Sequence, residues 1–385
     1  MAKKRIAIIG ANDFQNQAIL KAKALGYETH VFAWKSGDVG ETTADYFYPI
    51  SITEKEEILE RCKEIKPDGI LSIASDLAVV TVNYVAENLG LVSNGIDNTD
   101  KTTNKAVMYT CLRDQQVPTP KFTTVSTVES FSPEGLMLPL IVKPTDRSGS
   151  RGVNKVERLD DIDNALTEAF EQSFEGRAIV QEFVEGCEYS IEGLSWQGKH
   201  HILAMTKKET TQSPHFIEVA HVQPAYDLDD ETKEKITKCV VRALDALEVE
   251  YGASHTELII DHDGNVQIVE VGARMGGDCI GSDLVQLSTG YDFVKMVIEV
   301  ACNIEPEISP NKDDYFSMVR FIFGEEDINK LRQVEERFPQ YLKRVSNIAE
   351  IDNRVIGDSS TRYGYYLMQF DSFEQLNEAV GFING

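Results

Sequence analysis

The sequence predicts a mixed α/β and α+β protein with an open parallel α/β domain at its N-terminus. Three observations indicate this class. Strand-like and helix-like segments alternate up to about residue 100, which is typical of a parallel sheet covered by helices. From Lys101 onwards, longer strands, hairpins and a glycine-rich loop replace that alternation, and a further strand and helix pattern starts near Asn311. We therefore expect domains at residues 1–100, 101–310 and 311–385, the last a small β-rich subdomain.

Composition limits the partners that the protein can have. With 385 residues, 42% of them hydrophobic, the chain has enough apolar side chains for two or three packed domains. Its net charge of −25 argues against nucleic acid or an anionic membrane surface, because both attract clustered lysine and arginine. No apolar run approaches the roughly 20 residues that cross a bilayer.

Cysteine usage and the N-terminus predict a cytoplasmic location. The six cysteines show no CxxC spacing, and Met1–Arg5 leads directly into a short strand rather than a signal peptide. We therefore expect reduced thiols in a cytoplasmic protein.

The N-terminal domain should contain three short apolar strands, each followed by a helix. Gly10 follows the first strand alone, without GxGxxG, so a dinucleotide site is not expected. Asn12, Gln15 and Asp76 lie at the carboxyl ends of strands, where open α/β sheets bind ligands, although capping a helix is an equally simple role. The predicted strands are Ile6–Ile9, Thr29–Ala33 and Ile70–Ile73, and the helices cover residues 14–25, 54–65 and 76–89.

The next elements of the sequence predict a phosphate-binding site. A helix is expected over Thr102–Gln115 and a strand over Leu140–Lys143, whose terminal lysine is poorly placed for packing alone. The loop Thr145–Val153 follows at once, and its small residues allow backbone N–H groups to surround phosphate oxygens. An ordinary turn between strands would have the same composition.

Further along, a strand is expected over Ala178–Glu182, and Tyr189–Ser195 should pair with His201–Lys207. The polar segment Lys207–Ala225 then precedes a helix at Asp230–Leu247. This segment either contributes substrate-binding charges or is an exposed, solvated loop.

Two glutamates on a predicted hairpin are the most informative pair of residues. If Ser254–Ile260 and Val266–Val271 pair symmetrically about their turn, Glu257 faces Glu270 and Ile259 faces Ile268. Like charges directly opposed across strands repel, so a cation is expected between them, and an oxygen-only ligand set suits Mg²⁺. A register slip that turns one glutamate to solvent is the alternative.

With these residues in place, the chain resembles the ATP-grasp superfamily of carboxylate–amine ligases over essentially its whole length. The amino-acid and dipeptide ligase branch is the most similar part, and the C-terminal region resembles the biotin-carboxylase-like subdomain. The motifs that carry the resemblance are Lys105, thirteen residues before Pro118, the strand Leu138–Pro144, Gln181–Val184, Glu188, the pair Glu257 and Glu270, and Arg274.

The resemblance implies a site for ATP and Mg²⁺, two ions with Mn²⁺ as a substitute, and a lid subdomain at about 120–187. Glu257 and Glu270 would bind the metal, and Arg274 would steady an acyl phosphate, with Glu270 and Lys143 as the other catalytic residues. The implied ATP-binding residues are Lys105, Lys143, Ser148, Gly149, Ser150, Gln181, Glu182, Phe183, Val184 and Glu188.

One position departs from the pattern. Members of the superfamily commonly carry asparagine two residues after the second metal-binding acid, and this chain has Gly272. The hairpin register pairs position 272 with His255, so we hypothesise that the histidine fills the asparagine's space and contacts metal or phosphate. Simple packing at a strand end is the competing role for His255.

Substrate recognition is expected from Glu218 and His221, whose surroundings resemble a segment of the dipeptide-forming branch. An acid there can pair with a substrate ammonium and a basic residue with a carboxylate. Gly276 and Gly277 should form a turn over the substrate. In the C-terminal subdomain, Arg320 and Arg362 either reach a substrate carboxylate or, as the favoured role, form surface ion pairs.

The predicted function is therefore ATP-dependent amide formation between small-molecule carboxylate and amine substrates. The alternatives are a purine-pathway-like or carboxylating enzyme that activates formate or bicarbonate, and a catalytically inactive ATP-binding regulatory module. A homodimer is compatible with the resemblance.

Overall fold

The computed structural model describes residues 3–211, 216–309, 315–352 and 354–384. Its N-terminal part is a four-stranded parallel sheet with strand order β3-β2-β1-β4. Helix α1 begins after Asn12, whose side chain accepts from the Gln15 N–H, and helix α4 begins after Ser75. The elements are β1 (Arg5–Ile9), α1 (Asp13–Ala24), β2 (Glu28–Phe32), α2 (Gly40–Thr43), β3 (Tyr46–Tyr48), α3 (Lys55–Ile65), β4 (Gly69–Leu71) and α4 (Asp76–Leu89).

The predicted alternation of this part is confirmed, with the expected strands within one or two residues of the observed ones. Apolar residues of α3 and α4 cover one face of the sheet. A helix from much later in the chain, Phe293–Ala301, packs beside α1 on the other face. The sheet therefore depends on a distant segment that alternation alone does not indicate.

The next region contains a second, antiparallel sheet of four strands in the order β5-β8-β6-β7. Helix α7 packs on it through Ile162, Leu166 and Ala169. The elements are α5 (Thr99–Thr103), α6 (Lys105–Asp114), β5 (Phe122–Val125), β6 (Leu140–Pro144), β7 (Asn154–Val156), α7 (Ile162–Gln172) and β8 (Ala178–Glu182).

The expected single helix over Thr102–Gln115 is wrong in one respect. The helix is interrupted at Asn104, which has extended backbone angles. The Asn104 side chain accepts from the N–H groups of Ala106 and Val107. Asparagine competes for backbone hydrogen bonds and so favours a cap over a helix interior. The break makes Lys105 the first residue of α6.

The third sheet has eight strands in the order β13-β12-β9-β10-β11-β14-β16-β15. Its strands from the C-terminal region continue those of the central region without interruption, because β11 pairs with β14. The central elements are β9 (Gly186–Trp196), β10 (Lys199–Thr210), β11 (Glu218–Gln223), α8 (Asp230–Ala246), β12 (Gly252–Asp261), β13 (Val266–Gly272), a π-helix (Ile280–Leu284), α9 (Val285–Thr289) and α10 (Phe293–Ala301).

The C-terminal elements follow residues 310–314, which lie outside the described ranges together with the predicted boundary at Asn311. Helices α11 and α12 cover one face of the last strands through Leu331, Val334 and Leu376. The elements are β14 (Phe316–Ile322), α11 (Glu325–Arg337), β15 (Leu342–Val345), β16 (Gly364–Phe370) and α12 (Phe373–Asn384).

The two faces of the large sheet differ in character. Alternate residues point to opposite faces of a strand. On β9, Tyr189 and Ile191 pack on α8, whereas Glu188 and Glu192 face the other way. We call the face that carries Glu188 and Glu192 the site face, since it is lined with charged side chains.

Candidate active site

The β12–β13 hairpin places Glu257 directly opposite Glu270, as predicted. The prediction that Ile259 faces Ile268 is wrong, because a bulge beside Glu257 makes Leu258 the partner of Ile268. The bulge lies on the turn side of the carboxylates, so it shifts the turn-side pairs and leaves the glutamate pair intact. Both glutamates lie on the site face.

Each of these glutamates has a lysine partner. Lys105 Nζ lies 2.9 Å from Glu270 Oε1 and also donates to the Arg147 carbonyl at 2.7 Å. Lys208 Nζ lies 2.8 Å from Glu257 Oε1 and also contacts Glu188. The lysines therefore offset the repulsion that two opposed carboxylates would otherwise have.

Lys208 is a site residue that the sequence reasoning missed. Its side chain is only 3% exposed. Burial alone would lower its pKa, but the carboxylates of Glu188 and Glu257 outweigh that effect and raise the pKa well above the usual value. Burial works against ionisation of Glu257 as well, yet Lys208 holds the pKa of that carboxyl well below its usual range. The available signal was the alternation of β10, which continues through Thr210 and points Lys208 to the site face.

The donor set fits Mg²⁺ that arrives with a nucleotide. Among residues 3–211, 216–309, 315–352 and 354–384, no group of three or more histidine, cysteine, aspartate or glutamate side chains is arranged to hold a metal. Mg²⁺ is commonly held by one or two carboxylates together with phosphates and water. The opposed pair Glu257 and Glu270 meets that requirement.

Lys143 lies at the end of β6, where the sequence places it, and is buried beside the ring of Tyr109. Burial, assisted by the charge of Lys105, lowers the pKa of Lys143 to about 8. A phosphate group nearby would favour the charged form of this side chain.

The loop after β6 reaches the same region. Thr145 accepts the Lys105 backbone N–H at 2.7 Å, which ties the start of α6 to this loop. Gly149 and Ser150 both have positive φ, so the loop turns sharply there. Ser148 and Gly149 line the main cavity described below.

The segment Gln181–Val184 leaves β8 between the two antiparallel sheets. Gln181 accepts from the Tyr109 hydroxyl, Glu182 accepts the Met137 N–H, and the Phe183 N–H is donated to the Pro139 carbonyl. The Phe183 ring lies 4.2 Å from Lys155 Nζ. The N–H of Phe183 is therefore already used within the protein, and other backbone groups of the segment would have to hold a base.

Arg274 forms a two-point ion pair with Asp76. Its Nε and Nη2 lie 2.8 and 2.9 Å from the two carboxylate oxygens. Ser75, not Asp76, caps helix α4, so Asp76 is available to hold Arg274 at the carboxyl edge of the N-terminal sheet. The pair joins the N-terminal domain to the strand end that follows Glu270.

The same ion pair corrects the hypothesis about Gly272. A Cβ atom on Gly272 would lie 3.0 Å from Asp76 Oδ1 and 3.2 Å from Arg274 Nε, so these side chains occupy the space beside the glycine. His255 is the strand partner of Gly272, as predicted, but its ring does not fill that space. It contacts Glu192 and Glu257 instead and lines the main cavity, and its contact with metal or phosphate stays a prediction.

His255 is buried between those two carboxylates. Burial alone would lower its pKa, but Glu192 and Glu257 raise it to about 9. Glu192 also accepts the backbone N–H of Gly276 at 2.8 Å. A buried chain of hydrogen bonds thus connects Glu257 to the turn at Gly276.

The segment predicted as a polar loop or substrate segment consists mainly of the strands β10 and β11, with residues 212–215 outside the described ranges. Glu218 and His221 both belong to β11. His221 is 1% exposed and packs edge-on against Phe321, and its Nδ1 has no hydrogen-bond partner among the residues that the structure describes. Its Nε2 lies 3.7 Å from Asp278 Oδ2.

Arg362 is a second residue that the sequence reasoning placed incorrectly. It is not a surface side chain: it is 6% exposed and its guanidinium lies 3.6 Å from the centre of the Phe321 ring. It donates to Asp278 Oδ1 at 2.6 Å and to the Glu218 carbonyl at 3.1 Å. Burial alone would raise the pKa of Asp278, but Arg362 and His221 hold it well below its usual range.

These residues line one cavity of about 860 Å³. Lys208, Glu257 and Arg274 line it, and so do Glu218, His221, Asp278 and Arg362, which we call the far end because none of these four lines the adjoining cavity of Lys105 and Glu270. Lys208 borders the far end, since its Nζ lies 3.9 Å from Glu218 Oε1 and its strand partner is His221. Gly277 lines the cavity too, as part of the turn that the sequence predicts. Lys105 and Glu270 line an adjoining cavity of about 250 Å³, and Asp76 and Ser148 line both.

Comparison with known proteins finds matches to part of the sequence and to the whole fold. Residues 136–283 match the ATP-grasp domain. The chain is 27% identical to alanine–anticapsin ligase of Bacillus subtilis over 304 residues, which are 70% of this chain and 63% of that protein. The chain thus spans less than two thirds of the length of this curated relative.

Solved structures extend the match to the whole fold. An L-amino acid ligase from Bacillus licheniformis superposes with a TM-score of 0.84 and 25% identity, covering 99% of this chain and 97% of that one. The biotin carboxylase domain dimer of the Hydrogenobacter thermophilus 2-oxoglutarate carboxylase, solved with MgADP and bicarbonate, superposes with a TM-score of 0.76 and 17% identity, covering 98% and 89%.

No helix in the described ranges is long and apolar enough to cross a membrane. The predicted fold class is confirmed by the sheets and by the structural matches. The chain therefore carries an ATP-grasp domain at residues 136–283 within an ATP-grasp fold that extends over essentially its whole length.

Proposed function

We propose that this protein is an ATP-dependent carboxylate–amine ligase that joins amino-acid-like substrates through an acyl phosphate. One observation carries the proposal: one cavity of about 860 Å³ is lined both by Glu257, Lys208 and Arg274 and by the charged residues of the far end. Such a cavity can hold the nucleotide phosphates and an organic substrate together. The likeness to alanine–anticapsin ligase and to an L-amino acid ligase supports the same reaction class.

In this proposal, Lys105 and Lys143 hold the nucleotide phosphates, the segment Gln181–Val184 holds the base, and Glu188 accepts from the ribose hydroxyls. The positions of Lys105 and Lys143 agree with these roles, because both lysines are buried next to the loop that carries Ser148–Ser150. Bound between Glu257, Glu270 and the phosphates, Mg²⁺ would neutralise charge on the transferred phosphoryl group. We propose two ions, with Mn²⁺ as a substitute.

The first step joins the substrate carboxylate to phosphate. A carboxylate oxygen attacks the γ-phosphorus, the bond from that phosphorus to the β–γ bridging oxygen breaks, and ADP leaves with the electron pair. Phosphoryl transfer needs mainly positioning and charge stabilisation from the protein. In this proposal Arg274, which Asp76 contacts at two points, binds the charge on the acyl phosphate.

In the second step the amine nitrogen attacks the acyl carbon. The bond from that carbon to the phosphate-bearing oxygen breaks, inorganic phosphate leaves, and the nitrogen loses a proton to form the amide. Exclusion of water protects the acyl phosphate from hydrolysis. In this proposal the turn at Gly276 and Gly277 covers the reacting groups, which agrees with the position of Gly277 and Asp278 in the cavity lining.

The far end provides the chemistry to recognise amino-acid-like substrates. Glu218 and Asp278 supply carboxylates for an ammonium group, and His221 presents Nδ1 without a protein partner. Arg362 keeps unused N–H groups after its contacts with Ser359, Glu218 and Asp278. Such a set matches a compound that carries both an ammonium and a carboxylate.

The second candidate is an enzyme that activates formate or bicarbonate. The likeness to a biotin carboxylase domain solved with bicarbonate favours this candidate, although at 17% identity the likeness concerns the fold. The far end combines two carboxylates, an imidazole and a guanidinium, a set that suits a compound with both an ammonium and a carboxylate better than so small an ion. The cavity therefore favours the larger substrates.

The deciding experiment measures ATP- and Mg²⁺-dependent phosphate release for pairs of amino acids and small carboxylates, with mass spectrometry of each positive reaction. Release that requires two amino compounds and gives their summed mass less water would support the proposal. Release with bicarbonate or formate would favour the second candidate. ATP binding without release across the whole panel would argue for a regulatory module.

The proposal also includes a cytoplasmic location. All six cysteines are free thiols, as expected for a reducing compartment. A homodimer stays a prediction, to be checked by light scattering.

A further inference from the structure

We propose that Glu192 is a positioning residue that fixes the carboxylate of Glu257 relative to the turn carrying Arg274, through His255 and the backbone N–H of Gly276. The inference rests on the proposed function, because it assumes that Glu257 binds a metal. The resemblance to the ATP-grasp superfamily implies no role for Glu192.

The burial of Glu192 is the first step of the argument. Its side chain is 0% exposed, on the site face of β9. A buried carboxylate is costly unless hydrogen bonds and charges compensate it. The contacts of Glu192 therefore indicate which groups this buried carboxylate holds in place.

Those contacts all lead to the active site. Glu192 Oε2 accepts the Gly276 N–H at 2.8 Å, and Oε1 contacts His255 Nδ1. On its other side, the His255 ring reaches Glu257 Oε1 through Nε2 at 3.2 Å. A ring between two carboxylates serves both when each nitrogen carries a hydrogen. One side chain thus links the metal-binding strand β12 to the turn that follows Arg274.

The turn is shaped to allow this contact. A Cβ atom on Gly276 would lie 2.6 Å from Glu192 Oε1 and 2.7 Å from His255 Nδ1, closer than side chains tolerate. The absence of a side chain at Gly276 is therefore what allows the carboxylate and imidazole to approach the backbone.

The consequence for function follows from what hydrogen bonds around a metal ligand do. Partners of a ligating carboxylate orient it, and their loss typically costs about 10–100-fold in metal affinity or activity. Without Glu192, His255 loses the group that orients it, and Glu257 loses a fixed donor. Arg274 would also be held less firmly, because the Gly276 N–H would lose its acceptor.

The test compares Glu192→Ala with Glu192→Gln in the full-length protein. Glutamine can accept from Gly276 and donate to His255, so it retains the geometry without the charge. Mn²⁺ binding in the presence of ADP is followed by electron paramagnetic resonance, and ADP binding without metal by calorimetry in a chelator. We expect Glu192→Ala to weaken Mn²⁺ binding about 10–100-fold, with metal-free ADP binding unchanged and Glu192→Gln close to wild type.

Ser195→Ala is the matched control. Ser195 is also fully buried on β9 but contacts His200 on the opposite face. Its loss should leave Mn²⁺ binding unchanged. If Glu192→Ala does not fold, His255→Leu takes its place, because it cuts the link to Glu257 and should weaken Mn²⁺ binding similarly.

Three results would overturn the inference: wild-type Mn²⁺ affinity in folded Glu192→Ala or His255→Leu, an equal loss of metal-free ADP binding, or an equal loss in Glu192→Gln and Glu192→Ala. None of these measurements uses a carboxylate or amine substrate. A wild-type protein that binds neither ADP nor Mn²⁺ would instead contradict the proposed function itself.

Discussion

The two ends of the active-site region are built in different ways. The lysine-rich end, comprising Lys105, Lys143, Lys208, Glu257 and Glu270, is formed by side chains at the ends of regular elements or on paired strands. The far end combines strand β11, the turn at Asp278 and the segment before β16. Both ends unite distant segments, since Lys105 and Glu270 are 165 residues apart. In the first end each side chain is fixed by its own helix or strand, whereas in the second the turn and the segment before β16 are fixed by their contacts with each other.

This contrast indicates what each end contributes to the reaction. A site for phosphates needs fixed charges at fixed spacing, and strands and helix starts provide this rigidly. Specificity for an organic substrate is set by groups that can be exchanged without disturbing that frame. Substitutions at the two ends should therefore have effects of different size and kind.

The largest effect is expected at the lysine-rich end. Glu270→Ala should lower ADP formation by roughly 10³-fold, because it removes a metal-binding carboxylate and leaves Lys105 without its acid. A coupled ADP assay measures the loss, and circular dichroism confirms that the variant is folded. More than a tenth of wild-type activity would contradict the assignment of Glu270.

Arg274→Lys tests the connection between the ends. Lysine cannot reproduce the two-point contact with Asp76, so the charge on the acyl phosphate would be held less accurately. We expect kcat to fall by about 10²-fold while KM for ATP changes little. Asp76→Asn should show the same pattern more weakly, and a change confined to KM for ATP would reject the role.

The lysine-rich end could be predicted from sequence because its signals are short in range. The pairing of Glu257 with Glu270 follows from a hairpin, and Lys143 follows from the end of an apolar strand. The bulge beside Glu257 was not predicted, because a register drawn symmetrically about the turn assumes an uninterrupted ladder. Lys208 was missed because β10 was expected to end before it.

The far end could not be predicted in the same way. Arg362 and Asp278 are 84 residues apart, and their contact depends on the C-terminal strands joining the large sheet. From the sequence alone, a surface ion pair is the favoured role of Arg362. Similarly, the role of Gly272 became clear only once Asp76, nearly 200 residues earlier, was found beside it.

Arg362→Met examines the far end directly. The variant keeps a long side chain over Phe321 but removes the charge that balances Asp278. We expect KM for the amino-acid substrate to rise about 10-fold, with KM for ATP unchanged. Arg158→Met is the control, because Arg158 forms an exposed pair with Asp160 away from the lining of both cavities and should have no effect. Equal changes in both KM values would mean that the two ends are not separable.

The smallest effect concerns protons at the lysine-rich end. Burial, with the nearby charge of Lys105, lowers the pKa of Lys143 to about 8, so this side chain is charged below that pH and increasingly neutral above it. Nucleotide phosphates favour the charged form, and binding at pH 8.5 should therefore take up a fraction of a proton, whereas binding at pH 6.5 should take up almost none from this group. Calorimetry in buffers of different ionisation enthalpy measures the uptake. Lys143→Arg should abolish the pH-dependent part, since arginine stays charged throughout. The same uptake in Arg362→Met would locate the effect at the lysine-rich end, whereas its loss there would show that the far end controls the charge of Lys143.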